Sequence, residues 1–235
     1  MEPLAVVPLA CFAAGYFVVG GAELGMGMLL PLLGGNATER AALRRATAPL
    51  ARLAELWLLA TASALLASFP SAVGELTGLL PAFCAVLCGL APRWLRRGGD
   101  WPLVAGSWLS TAGWGWLLAS LVVGAEDGPA GPAITLLSVV CVALLLLAHG
   151  AGFAALRATG TPFRRARQLV GPRGAGPSVA LTSATVAALP LLAGSQLPLD
   201  GRAAPPGVLA AVVPALFLGL LALSAAQLRL WRAGA

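Results

Sequence analysis

Long apolar runs separated by short polar segments follow one another along almost the whole chain of 235 residues. A helix needs roughly 20 apolar residues to cross the hydrocarbon core of a bilayer, and several segments meet this requirement. We predict membrane spans at residues 4–33, 53–70, 72–91, 102–124, 133–156, 178–197 and 207–228. The pattern therefore predicts an all-α fold, a polytopic transmembrane helical bundle of about seven spans that forms a single domain over residues 1–235.

The arginines lie almost entirely in alternate loops between the predicted spans. The arginine-rich loops hold Arg40, Arg44, Arg45, Arg52, Arg93, Arg96, Arg97, Arg157, Arg164, Arg165, Arg167, Arg173, Arg229 and Arg232. The loops on the other side hold only Arg202, beside the acidic residues Glu126, Asp127 and Asp200. By the positive-inside rule, the N-terminus is predicted to lie outside and the C-terminus in the cytoplasm.

The composition excludes a water-soluble domain. Hydrophobic residues make up 59% of the chain and charged residues only 10%, which leaves too little polar surface for solubility. The net charge of +6 comes from 15 basic residues, all of them arginine. Because they are scattered between apolar runs, membrane topology explains them better than nucleic-acid binding, and no nucleic-acid partner is predicted. Cys84 and Cys88 share a helical face, but no second pair or nearby histidine completes a site, so no metal is predicted.

Glu23 is an acidic side chain inside the first predicted span, within the sequence GGAELGMG at residues 20–27. An ionisable group at the centre of a span costs roughly 2.5–3.5 kcal/mol on insertion scales and therefore suggests a function. Gly21 and Gly25 have the GxxxG spacing that lets another helix approach closely. Glu23 is interpreted either as a group that takes up protons or as a protonated or paired acid that serves helix packing.

Three other ionisable groups lie within or near the spans. Glu55 begins the second span close to Arg52, and it is interpreted as a proton acceptor on the cytoplasmic side or, by preference, as an interfacial ion pair. Glu75 lies near the outer end of the third span, where a solvated acid is favoured. His149 is the only histidine, so the chain cannot supply two histidine ligands to a haem. Helix packing is favoured for this histidine.

The sequence GMGMLLP at residues 25–31, followed by NATER at residues 36–40, resembles subunit II of the cytochrome bd quinol oxidases. That family carries a G-x-G-M-L-L-P run and an N-x-T-E-R turn at the end of its first helix. Further matching positions are Pro49, Glu55, Trp57, Leu58, residues 69–70 and, more weakly, residues 149–151. Residues 20–70 carry most of the resemblance.

The resemblance implies a quinol oxidase complex in the bacterial inner membrane, which oxidises quinol and reduces oxygen to water. In such oxidases subunit I carries haems b558, b595 and d, and subunit II binds no haem. This chain is therefore expected to be a multi-pass, non-catalytic subunit that scaffolds subunit I and assists proton uptake. Small accessory subunits, membrane lipid and a structural quinone are its other expected partners.

The acidic residues within the spans and this resemblance together indicate Glu23 as the first candidate for proton transfer and Glu55 as the second. The candidates for helix packing or for the subunit interface are Gly21, Gly25, Gly27, Trp57 and His149.

The chain also departs from the family pattern. The family usually has D-G-F-D where this chain has GGAE at residues 20–23, so only the second acid remains. Ala51, Arg52 and Ala54 stand where the family has tryptophan, aspartate and asparagine, and that aspartate is associated with proton uptake. Family members typically have eight helices, one more than the spans predicted here.

Two other interpretations stay open. The chain could be a small membrane transporter or a purely structural scaffold that shares only the helix-end motif, although transporters usually show paired halves and no clear repeat is present. It could also be an oxidase subunit that has lost its proton and quinone roles, which Arg52 and Ala54 favour.

Overall fold

The computed structural model describes residues 2–95, 99–124, 129–172, 174–197, 199 and 201–232. Within these residues the chain forms nine α-helices, one 3-10 turn and no strand, so the all-α prediction is confirmed. The helices are α1 (Glu2–Leu33), α2 (Ala37–Ser68), α3 (Ala72–Glu75), α4 (Leu80–Leu95), α5 (Asp100–Val123), α6 (Pro132–Arg157), α7 (Gly160–Val170), α8 (Ala175–Gly194) and α9 (Pro206–Arg232). The 3-10 turn, Leu76–Leu79, joins α3 to α4.

Six helical segments of the described residues are long and apolar enough to cross a membrane, close to the seven that the sequence predicts. The segment that does not qualify by hydropathy is α5, which corresponds to the predicted span 102–124. It has 24 residues, which is long enough to cross, but its four tryptophans and its glycines and serines lower its hydropathy. Because α5 packs against α1, α4 and α6, it lies inside the bundle with the other long helices.

Helix α2 begins well before the predicted second span. The side-chain oxygen of Asn36 accepts a hydrogen bond from the backbone N–H of Glu39 (2.8 Å), and the Glu39 carboxylate accepts one from the N–H of Gly35 (2.8 Å). These bonds satisfy backbone donors at the helix start, in the manner of a capping box. The arginines predicted to lie in the first loop therefore lie on the first half of α2, from Arg40 to Arg52.

The predicted third span, residues 72–91, is interrupted. Pro70 has no backbone N–H and follows the end of α2, and Gly74 and Gly78 have low helix propensity. The segment consequently forms α3, the 3-10 turn and α4 instead of one continuous helix. The part that qualifies as a span is Leu76–Arg93.

Helix α7 lies in a segment that the sequence analysis assigned to a loop. It is strongly amphipathic: Pro162 and Ala166 are buried, whereas Arg164 and Arg167 are exposed. Eleven residues are too few to cross the hydrocarbon core. The hydropathy pattern missed this helix because it reports spans and not short helices that lie along a surface.

One end of the bundle gathers charged side chains, and we call it the arginine end. Asp100 at the start of α5 accepts a hydrogen bond from Arg40 Nε (2.5 Å) and is also paired with Arg44. Arg165 of α7 donates to the Leu33 carbonyl (2.7 Å) and is paired with Glu39 (2.8 Å). The end of α1 and the starts of α2 and α5 therefore meet at the arginine end. Its cytoplasmic orientation stays a prediction.

The opposite end is closed by contacts between the end of α2 and the segment before α9. The N–H of Ala204 donates to the Ser68 carbonyl (2.8 Å), and the Ser71 hydroxyl donates to the Arg202 carbonyl (3.0 Å). Near the arginine end, Arg157 of α6 donates to the Leu230 carbonyl of α9 (3.0 Å). Helix α1 packs against α2, α5, α6, α8 and α9, so it forms the centre of the bundle.

Candidate functional site

The main polar feature of the core is an ion pair between Glu23 of α1 and Arg93 of α4. Arg93 Nε lies against Glu23 Oε1, and the two side chains are only 7% and 8% exposed, respectively. A buried charge is strongly unfavourable unless a partner and hydrogen bonds compensate it. Each charge therefore compensates the other in the apolar part of the bundle.

The guanidinium of Arg93 also makes two hydrogen bonds. It donates to the Gly89 carbonyl one turn earlier in α4 (3.3 Å) and to the Ser107 hydroxyl of α5 (3.0 Å). The Ser107 hydroxyl in turn donates to the Leu103 carbonyl (2.8 Å). A Cβ on Gly27 of α1 would overlap Ser107, so glycine at this position is needed for α5 to approach. The site thus joins α1, α4 and α5.

The sequence analysis placed Arg93 in a loop on the cytoplasmic side; the loop placement is wrong, whereas the side stays a prediction. The residue belongs to the last turn of α4, which continues to Leu95, and its side chain is buried. Arginine in a loop and arginine in the last turn of a helix have the same local sequence signal, because both follow an apolar run. The helical position is recognised only from the contact with Glu23, which is distant in the sequence and close in the fold.

Glu55 lies near this pair but not in it. It is half-buried in α2 and lies within electrostatic range of the Glu23 carboxylate. Arg52 is exposed one turn earlier, and Ala54 is buried. The structure thus brings the two proton-transfer candidates into one region at the α1–α2 contact. The side chain of Glu75 lies outside the described residues.

An aromatic group lies on α1 about two turns before Glu23. The indole N–H of Trp114 on α5 donates a hydrogen bond to the hydroxyl of Tyr16 (2.9 Å), and both rings are buried. The Tyr16 hydroxyl also lies within electrostatic range of Glu23 and Arg93. The sequence analysis did not single out Tyr16, although it is the only tyrosine of the chain.

His149 is fully buried where α1, α6 and α8 meet. Its Nε2 lies 2.9 Å from the Val18 carbonyl oxygen, and its Nδ1 lies 2.8 Å from the Thr182 hydroxyl. Because a carbonyl can only accept, Nε2 donates to Val18, and the Thr182 hydroxyl at Nδ1 also lies 2.9 Å from the Ser178 carbonyl oxygen. Both ring nitrogens are therefore occupied within the chain, and neither is directed at a haem.

The other packing candidates lie between helices of this chain. A Cβ on Gly25 would overlap the Leu146 carbonyl and Gly150, so the backbones of α1 and α6 touch there. Gly21 faces Leu146 in the same contact. Trp57 of α2 lies edge-on to Phe12, with ring centroids 5.9 Å apart.

An apolar cavity of about 580 Å³ opens in the half of the bundle away from the arginine end. It lies between α1, α2, α4, α5 and the end of α8, and Tyr16, Phe17 and Trp114 form part of its wall. Because its other lining residues are mostly aliphatic, such as Leu58 and Leu65, it suits an apolar chain better than a polar ligand.

Metal ligands do not come together in the described part of the chain. No group of three or more His, Cys, Asp or Glu side chains occurs there, and all four cysteines are exposed on the bundle surface.

The family model for cytochrome bd terminal oxidase subunit II matches residues 1–235. A curated relative, cytochrome bd ubiquinol oxidase subunit 2 of Bacillus subtilis (strain 168), is 28% identical over 194 residues. The alignment covers 72% of this chain and 57% of that relative, so the chain spans little more than half of the relative's length.

Proposed function

Because the chain belongs to the cytochrome bd terminal oxidase subunit II family, we propose that it is the non-haem subunit of a membrane-bound quinol oxidase. The complex would oxidise quinol and reduce oxygen to water. The family match over the whole chain is the observation that carries this proposal. The polytopic helical bundle supports it, because such a subunit must pack within the membrane.

The haems of the complex would lie in a partner, subunit I, and not in this chain. Haem ligation needs an available side chain such as histidine, and both nitrogens of His149 are engaged with Val18 and Thr182. The residues of this bundle therefore do not fit a histidine-ligated haem.

The role proposed for Glu23 is to relay protons from the arginine end toward the partner. Its carboxylate is buried, and it lies near Glu55, which could pass protons from the cytoplasmic surface. A proton taken up by Glu23 neutralises it and weakens its attraction to Arg93, and release of the proton restores the pair. Such a reversible change of charge is what a proton relay requires.

The purely structural alternative is supported by the same ion pair. Arg93 satisfies Glu23 and bonds to two further helices, which is sufficient reason for a buried acid to be present. Arg52 also stands where the resemblance implies an aspartate associated with proton uptake. The two roles differ in their consequences for turnover, not in geometry.

The cavity is proposed to hold the apolar chain of a structural quinone or lipid. Its volume of about 580 Å³ and its mostly aliphatic and aromatic wall suit several isoprenoid or methylene units. Extraction of the purified complex with organic solvent, followed by mass spectrometry, would identify a bound quinone or lipid.

Purification in mild detergent tests the assignment to an oxidase. We expect a haem protein to co-purify with the chain and to show the absorption bands of haems b and d. A chain that is stable in detergent and reproducibly free of haem protein would overturn the assignment.

Glu23→Gln in the assembled complex tests the relay. We expect turnover to fall by about tenfold or more, because a positioned proton-transfer group typically contributes 10²–10⁴-fold. Glu39→Gln is the matched control, since it removes a paired carboxylate at the arginine end. Normal turnover of Glu23→Gln, with normal haem content, would leave only the structural role.

A further inference from the structure

A line of polar groups continues along the contact between α1 and α5, beyond the Glu23–Arg93 pair. Ser107 of α5 packs against Gly27 of α1, and Trp114 bonds to Tyr16. As the residue numbers rise along α5 they fall along α1, so the two helices run antiparallel in this contact. We call this contact the α1–α5 seam.

Thr111 lies between these two contacts. Positions 107, 111 and 114 are spaced by four and three residues, so their side chains point from the same face of α5. The Thr111 side chain is fully buried, and its hydroxyl has no hydrogen-bond partner among the described residues. By contrast, Ser110 on the neighbouring face donates to the Val86 carbonyl of α4 (2.9 Å).

On α1, positions 16, 20 and 23 are spaced by four and three residues and therefore share one face. The atoms nearest to a Cβ built on Gly20 belong to the Tyr16 ring, at 3.0–3.4 Å. The Tyr16 ring therefore lies along α1 over Gly20, in the direction of Glu23.

The Tyr16 hydroxyl has a proton to donate into this region. The Trp114 indole can only donate, so the Tyr16 oxygen is the acceptor in their hydrogen bond. Trp114 is the single hydrogen-bond partner of that oxygen within the described ranges. An acceptor for the tyrosine proton and a donor to Thr111 are thus required in the same stretch of the seam.

We infer that Thr111 binds a buried water molecule that connects the Tyr16 hydroxyl to the Glu23–Arg93 pair. The water would accept a hydrogen bond from the Tyr16 hydroxyl, and it would donate hydrogen bonds to the Thr111 oxygen and the Glu23 carboxylate. Buried waters typically make about three hydrogen bonds to polar groups that otherwise lack partners. This arrangement gives the Thr111 oxygen a donor, the Tyr16 hydroxyl an acceptor and the Glu23 carboxylate a further donor.

The consequence is a proton path along the seam, which rests on the relay proposed for Glu23. The path runs between Glu23 and the water: a protonated Glu23 donates its O–H to the water, whereas the ionised carboxylate accepts from it. A proton that leaves or reaches Glu23 therefore passes through this water, which is regenerated. The Tyr16 and Thr111 hydroxyls hold the water in place and keep their own protons, and no oxidant or reductant is needed.

Thr111→Val in the assembled complex tests the inference, because valine keeps the shape of threonine and removes only the hydroxyl. High-resolution electron cryomicroscopy should show water density within hydrogen-bond distance of Thr111 in the unmodified complex and none in the variant. Turnover of the variant should fall by about tenfold or more if the water carries protons. Thr185→Val is the control, since the exposed Thr185 hydroxyl bonds to its own helix at Leu181 (3.0 Å).

The outcomes separate this inference from the relay on which it rests. If Glu23→Gln slows turnover and Thr111→Val does not, the relay stands and the path through the seam is overturned. If Glu23→Gln leaves turnover normal, the relay itself fails and the proton path fails with it. If no water density is present at Thr111 in the unmodified complex, the binding site is overturned whatever the turnover.

Discussion

Replacement of Arg93 by methionine would leave the Glu23 carboxylate buried without its counter-charge. Methionine has a similar reach and no charge, so the packing between α1 and α4 would change little. The variant would also remove the hydrogen bonds from Arg93 to Ser107 and Gly89. We therefore expect Arg93→Met to destabilise the subunit strongly.

The magnitude follows from the burial of both partners. The Glu23 and Arg93 side chains are less than a tenth exposed, so solvent screens their interaction only weakly. Removing one member of a buried pair costs about 3–5 kcal/mol. For a domain of this size, with about 2–4 °C per kcal/mol, the melting temperature should fall by about 6–20 °C.

The double variant Glu23→Gln with Arg93→Met separates the charge effect from packing. Replacing both members of a buried pair is often close to neutral, so the double variant should recover most of the lost stability. The coupling energy from this double-mutant cycle measures the pair itself.

Thermal unfolding of the detergent-solubilised complex measures these effects, with Arg165→Met as the matched control. Arg165 pairs with Glu39 at the arginine end and its side chain is 37% exposed, so the loss of this ion pair should cost about 1 kcal/mol or less. If Arg93→Met melts at the same temperature as the unmodified complex, or if the double variant is no more stable than the single one, an unpaired buried Glu23 carboxylate does not destabilise the fold as argued.

Two further predictions concern helix packing and topology. Gly25→Ala should destabilise the subunit by about 1–3 kcal/mol, because a Cβ there would overlap the backbone of α6. Gly176→Ala, which meets nothing within 4 Å, should not, and equal melting temperatures of the two variants would contradict the packing argument. In a background without the native cysteines, Arg45→Cys should react with a membrane-impermeant maleimide only from the cytoplasmic side and Ser195→Cys only from outside. The reverse labelling would refute the orientation that the arginines predict.

Some features of this site could be anticipated from the sequence. Glu23 stands out because placing an acid within an apolar run of this length costs free energy of membrane insertion, and no residue of its own span compensates that cost. The glycines around it indicate a close helix contact, and Gly25 does lie against Gly150. Both inferences need only residues that are near one another along the chain.

The remaining features depend on which helices become neighbours. The sequence placed Arg93 in a loop, since nothing local distinguishes the last turn of a helix from the residues after it. Tyr16 and Trp114 carry no signal as a pair, because 98 residues separate them. Thr111 looks like an ordinary small polar residue of a span until its buried hydroxyl, without a hydrogen-bond partner in the described part of the chain, is seen in the α1–α5 seam.

Hydropathy is averaged over residues that are adjacent in the sequence, about one span at a time. The orientation is predicted by comparing the number of arginines in alternate loops. Neither quantity depends on which helices pack together. The sequence by itself therefore determined the helical class, the approximate number of spans and a predicted orientation. The partner of a buried charge depends instead on the rotation and neighbours of each helix, which are set by packing between segments distant in the chain. For this reason only the tertiary structure decided that Glu23 is paired with Arg93 and that the α1–α5 seam continues toward Tyr16.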